Sequence, residues 1–167
     1  MRNKTTYSIR IKHFINDCDG VALVEFAILL PMLFLVFGVM IEGSRLMWSY
    51  QSTISAVRDA TRYLARVAPV DICSSGGSVA GYTGNLTTII TKNINGATVF
   101  PAGISVNSVV PTLTCTAGAF RVNPAPVVQV TANITVTFIF GGVFNFAGGS
   151  LTSVTTSISD QSKVYGT

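Results

Sequence analysis

The chain has 167 residues, enough for one domain or a small domain with an anchor, which argues against a multidomain enzyme. Charged residues make up 11% of it and hydrophobic residues 49%, where an average soluble protein has roughly 25% charged, and its mean hydropathy is +0.53. That balance excludes long disorder and points to a membrane contact, while a net charge of +4 divided between two parts of the chain makes no strong nucleic-acid footprint.

Residues 1–20 form a short basic arm, with Arg2, Lys4, Arg10 and Lys12 set against Asp17 and Asp19. From Val21 to Ile41 the sequence VALVEFAILLPMLFLVFGVMI holds a single ionisable side chain, Glu25. A helix of that length covers about 31 Å, the hydrocarbon thickness of a bilayer. One membrane-spanning helix over 21–41 is therefore expected. The basic arm before it predicts a cytoplasmic N-terminus and an exported remainder. A removable secretory signal fits less well, because its apolar region is shorter and ends at a small-x-small site, whereas this run leads into Met40, Ile41, Glu42 and Gly43.

Glu25 is costly at such a position: insertion scales assign an acidic residue about 2.5 to 3.5 kcal/mol at the helix centre. A cut between Gly20 and Val21 would create an α-amino group whose charge answers that carboxylate from a neighbouring molecule. Plainer readings stay open. Gly20 also serves as an ordinary joint before a helix, and Glu25 sits close enough to the start of the span to snorkel toward water. Pro31 removes one helical hydrogen bond, which membranes tolerate; it is read as a bend or as a point of local melting during assembly.

Gly20 followed by Val21-Ala22-Leu23-Val24-Glu25-Phe26-Ala27, then Leu29-Leu30-Pro31, Ile41-Glu42-Gly43-Ser44-Arg45 and Ser55 to Arg66, resembles the TadE-like family, pilin-like proteins of bacterial tight-adherence (Tad, or Flp) pilus systems. The likeness covers about the first 66 residues and stops there. It implies cleavage after Gly20 by a prepilin peptidase at the cytoplasmic face, with the span retained and Val21 as the new terminus. It also implies roles for Glu25, Phe26 and Pro31 in subunit assembly. The partners implied are the prepilin peptidase, other pilin and pseudopilin subunits, the inner-membrane assembly platform and the bilayer; nucleic acid is not expected. The function implied is that of a minor pilin or pseudopilin in the assembly of a Tad/Flp, type IVb-like, pilus for surface adherence. The alternative is an uncleaved single-pass protein whose extracytoplasmic domain binds a ligand or surface.

Beyond the span, Leu46, Tyr50, Ile54, Val57, Thr61, Leu64 and Ala68 recur every three or four residues, which predicts one face of a helical stem over 42–68, ended by Pro69. Arg58, Arg62 and Arg66 stack along one side, with Asp59 placed to pair with Arg62. That stripe reads first as a solvated face and second as a grip on an acidic partner.

The remainder, 69–167, is expected to be a β-rich domain, giving an α+β, pilin-like fold in which the stem packs on a small antiparallel sheet. Between Ile72 and Ser159 only Lys92 and Arg121 are charged, and Thr, Ser, Asn, Gly and Val suit strands and turns. A short helix is expected over Leu86–Asn95 and a strand over Ile104–Val110. The clearest strand is Val127–Phe140, where Val128, Val130, Ala132, Ile134, Val136, Phe138 and Phe140 alternate with polar residues. Gly141-Gly142 should break it, with a return strand over Leu151–Ser159. Val143-Phe144-Asn145-Phe146 is a candidate contact tip, though core burial is the commoner fate of such residues.

Under the expected topology Cys18 leaves with the leader, while Cys73 and Cys115 reach an oxidising compartment. Closing their 42-residue separation would stabilise by about 4 kcal/mol in the chain-entropy model. His13, the one histidine, lies in the leader, so no imidazole is left for general-base work or metal ligation. No zinc-type spacing or phosphate-binding glycine loop occurs. No enzyme activity, cofactor or metal is expected.

Overall fold

The computed structural model describes residues 20–144 and 152–166, the side chains of 143 and 144 excepted. The basic arm up to residue 19, with His13 and Cys18, and the contact-tip side chains from Val143 to Phe146 lie outside the described residues. The elements in chain order are α1 (Val21–Val67), a 3-10 turn (Ala80–Tyr82), α2 (Thr83–Thr91), β1 (Ile104–Thr116), β2 (Ala125–Thr137), a single-turn α3 (Gly141–Phe144) and β3 (Ser153–Lys163). The class is α+β, as the alternation of periods predicts. The chain divides into two compact units, one up to Met40 and one from Ile41 onward.

In the first unit the apolar side chains of α1 are uncovered: Leu23 is 74% exposed, Ile28 72% and Met32 68%. Among the described residues α1 is the one helix long and apolar enough to cross a membrane. An all-round apolar helix needs lipid or other protein around it, because water penalises each uncovered methylene. Pro31 lies inside α1 without ending it.

The second unit begins with the rest of α1, which stops two residues before Pro69. The last bond of the helical ladder is the Ala68 N–H to the Leu64 carbonyl, 2.9 Å, and the residue before a proline is pushed out of the helical region. The three strands form one antiparallel sheet in the order β1-β2-β3. β2, the central strand, buries Val128, Val130, Ala132, Ile134 and Val136, the stripe its alternation predicts. These pack with Val57, Ala60, Leu64, Ala65 and Ala68 of the stem and with Leu86 and Ile90 of α2 in one core.

Several boundaries differ from expectation. α2 runs Thr83–Thr91 rather than Leu86–Asn95, because Asn93 folds its side chain onto the amides of Asn95 and Ala97, both 3.0 Å. This turn wins over helix continuation, as asparagine commonly does. β1 continues past Val110 and through Pro111 to Thr116, which an edge strand permits. β2 ends at Thr137, so Phe138 and Phe140 fall outside it; the Thr137 N–H reaches Gly103 O at 2.7 Å and the Phe138 N–H reaches Thr152 O at 2.9 Å. β3 extends past Ser159 to Lys163. Its register against β2, from Val127↔Lys163 to Thr137↔Ser153, carries it along all of the central strand but Ala125 and Pro126.

Candidate functional site

The first group of sequence-predicted residues lies at the start of α1. Gly20 directly precedes the helix, and a Cβ there would meet nothing within 4 Å. Val21 is the first helical residue and is 54% exposed. Glu25 follows at helical spacing i+4 and is exposed, as is Phe26 at 60%. The first turn holds no acid and Glu25 opens the second, so Glu25 and the Gly20–Val21 bond lie at one end of a run that is otherwise apolar as far as Ile41. Phe26, like Leu23 and Ile28, presents its ring outward, where burial against a neighbour or lipid gains about 1.5 to 3 kcal/mol per large side chain.

A second group, not singled out by function in the sequence, sits where the stem begins. Glu42 is 2% exposed although it carries a carboxylate. Its Oε2 accepts from Arg45 Nη1 at 2.8 Å and its Oε1 accepts from the Phe140 backbone N–H at 2.8 Å. Arg45, with 17% of its side chain exposed, donates from Nη2 to the Ala102 carbonyl at 2.8 Å. Two residues one helical turn apart thus tie the stem to the entry of β1 and to the turn after β2. Gly103 makes room for the tie: its φ is +86°, and a Cβ would come within 3.2 Å of Arg45 Nη2 and 3.1 Å of the Thr137 carbonyl. A buried charge is tolerated only when paired and hydrogen-bonded, and both carboxylate oxygens of Glu42 meet that condition. Glu42 and Arg45 at i,i+3 in Ile41-Glu42-Gly43-Ser44-Arg45 were legible as a local pair, but nothing in the sequence signals Ala102 or Phe140 as partners.

Above this latch the buried face of the stem is polar at intervals. Ser49, Thr53 and Thr61 are buried, and each hydroxyl donates to the carbonyl four residues back: Arg45 O at 2.6 Å, Ser49 O at 2.7 Å and Val57 O at 2.8 Å. Among the described residues no buried side-chain nitrogen or oxygen lacks a partner. The predicted stem face is therefore correct from Val57 upward and shifted below it, where Leu46 and Ile54 are half-buried and Tyr50 is 40% exposed. Small hydroxyl side chains allow close approach of the sheet while Leu46 and Ile54 flank it.

Arg58, Arg62 and Arg66 are exposed. Arg62 lies 4.0 Å from Asp59, with side chains 61% and 68% exposed, a geometry worth little in water. Cys73 and Cys115 are disulfide-bonded across a sequence separation of 42, with Cα atoms 5.8 Å apart; the bridge ties the turn after α1 to the end of β1. In that turn Gly76 takes a φ of +68°, a conformation that costs glycine nothing.

An exposed apolar helix leading into a stem latched under a three-stranded antiparallel sheet defines an α+β protein with one candidate membrane helix. Residues 20–62 match the sequence model of the family described as TadE-like protein; this part of the chain is similar to that family, which is associated with Tad pilus systems. The matched segment opens at Gly20, spans the apolar run and the Glu42–Arg45 pair, and ends within the stem. Comparison with curated proteins and with solved structures returns no match.

Proposed function

We propose that the protein is a minor pilin or pseudopilin that takes part in assembling a Tad/Flp pilus used for surface adherence. The observation that carries this reading is the coincidence of the TadE-like segment, starting at Gly20, with the start of α1 at Val21 and an exposed Glu25 one turn further on. On this reading a prepilin peptidase cuts after Gly20 at the cytoplasmic face, and residues 21–41 stay in the inner membrane. The stem, 42–68, and the domain from 69 onward stand outside it. The new Val21 amine of one subunit neutralises Glu25 of the next, removing the cost of a carboxylate among apolar side chains. Phe26 and its apolar neighbours supply lateral packing, and Pro31 leaves a weak point in the helical ladder that assembly can open. Other pilin-like subunits and the membrane assembly platform are the partners.

The mature N-terminus tests the reading directly. Intact-mass measurement on membranes should give a chain beginning at Val21 when the peptidase is active and at Met1 when it is not. A chain that starts at Met1 while pili assemble normally overturns the proposal. Glu25→Ala should leave membrane insertion intact and lower incorporation into the assembly at least tenfold, read by quantifying the subunit in sheared pilus and membrane fractions.

A further inference from the structure

The sheet has two edges that are finished differently. β1 carries Pro111, an irregularity in register between Val106 and Ser108, and the disulfide at Cys115, and α2 packs beside it. These are devices by which proteins blunt an edge. Among the described residues β3 has none of them: it runs from Ser153 to Lys163 without proline, without a bulge in its register with β2 and without a strand or helix paired along its other edge. Between its free edge and the stem lies a groove. One part, about 310 Å³ and almost wholly apolar, is lined by Leu46, Met47, Tyr50 and Val154; the next is lined by Ile54, Arg58 and the backbone from Ser157 to Asp160. Thr61 closes the far end, its hydroxyl lying 3.4 Å from the Asp160 carbonyl. The open edge is thus Ser153–Ser159, about 23 Å long at a strand rise of 3.3 Å per residue.

We infer that this groove binds an extended segment of a second exported protein, which adds to the sheet as a fourth strand beside β3. The occupant has alternating apolar side chains that fill the space over Leu46, Met47 and Tyr50, with a carboxylate beyond its end near Arg58. Main-chain hydrogen bonds to an open edge supply affinity, and pockets for alternate side chains supply selectivity. Met47 is 60% exposed and Tyr50 40%, so an added strand covers apolar surface that the domain itself leaves open. Arg58 lines the groove beside Asp160, and Arg62 and Arg66 follow it at helical spacing on the same exposed side of the stem, where Asp59 lies 4.0 Å from Arg62.

A second copy of this chain fits the groove less well. β3 runs in the same direction as the stem, since Val154 borders Gly43 and Leu46 whereas the Tyr165 N–H bonds Ala65 O at 3.0 Å. Antiparallel pairing of two β3 edges would set the stems head to foot, which two chains entering one bilayer from the same side cannot do. The β1 edge of a copy is already blunted, and β3 brings no carboxylate except Asp160, which lines the same groove. The inference uses the membrane-anchored layout and is independent of leader cleavage.

Hydrogen exchange on the full chain tests it, comparing native membranes of pilus-producing cells with the purified chain alone in phosphatidylethanolamine–phosphatidylglycerol vesicles. In native membranes about half the amides of Ser153–Ser159, those on the free edge, should slow at least tenfold, while β1 exchanges alike in both. Equal exchange of β3 in the two samples overturns the inference. A chain with Arg58, Arg62 and Arg66 all changed to Ala should lose most of the added protection; full retention overturns the acidic character of the occupant. Thr155→Cys reports on self-pairing: a disulfide between two copies in native membranes overturns the assignment to a different protein, and its absence alongside β3 protection supports it.

Discussion

The two halves of α1 are one helix with opposite ways of satisfying a surface. From Val21 to Met40 large apolar side chains point outward and nothing within the described residues covers them. From Glu42 onward the side facing the sheet is buried, and it is built from Glu42, Ser49, Thr53, Val57, Ala60, Thr61, Leu64, Ala65 and Ala68. The more apolar half is thus the exposed one, and the half with the polar side chains carries the core. Hydropathy alone does not locate a core; it locates surface that something must cover, and in the first half nothing among the described residues supplies that cover.

The sharpest way to separate the halves is to damage one and measure both. Glu42→Ala leaves the part-buried Arg45 without its carboxylate and the Phe140 amide without an acceptor; breaking a fully buried pair costs about 3 to 5 kcal/mol, and the loss here should fall at the low end because Arg45 keeps contact with water. Urea titration of the full chain in micelles, followed by tyrosine and tryptophan fluorescence, should show that loss, while the fraction of chain recovered in membranes stays unchanged. Leu29→Arg reverses the pattern. It places a charge in the apolar half at an insertion cost of about 2.5 to 3.5 kcal/mol, so carbonate-resistant membrane association should fall while the urea stability of the inserted fraction, purified in micelles, stays unchanged. Smallest is Arg62→Ala, which removes an exposed contact and should change urea stability by less than about 0.5 kcal/mol; a larger loss would mean that the arginine side of the stem is covered by something.

What the sequence revealed follows the same division. The long apolar helix, the upper stem and the buried face of β2 were legible because each is a long run with a clear period or a strong apolar contrast. The lower part of the stem was not, because Ser49 and Thr53 read as solvent-facing residues; their hydroxyls bond their own helix, so burial leaves no donor unsatisfied. Glu42 was hidden for a related reason, since its partners Arg45 and Phe140 lie 3 and 98 positions away and only the first falls within a local pattern. β1 seemed to stop short because Pro111 reads as a breaker, and the edge position that permits it is a property of the sheet. Gly20, Val21 and Glu25 were legible as a motif, and the structure adds their exposure at one end of the rod.

The serine and threonine hydroxyls that line the sheet-facing side of the stem have a consequence for the order of events. Because each donates to its own helix, the stem carries its polar contentment with it wherever it goes. Before the strands arrive the lower part of this side, at Ser49 and Thr53, offers water small, wettable groups, and afterwards it enters a dry interior without losing a bond. The lower stem therefore needs no outside partner for its hydroxyls either before or after the sheet closes over it, and the drive to close comes from the apolar residues from Val57 upward.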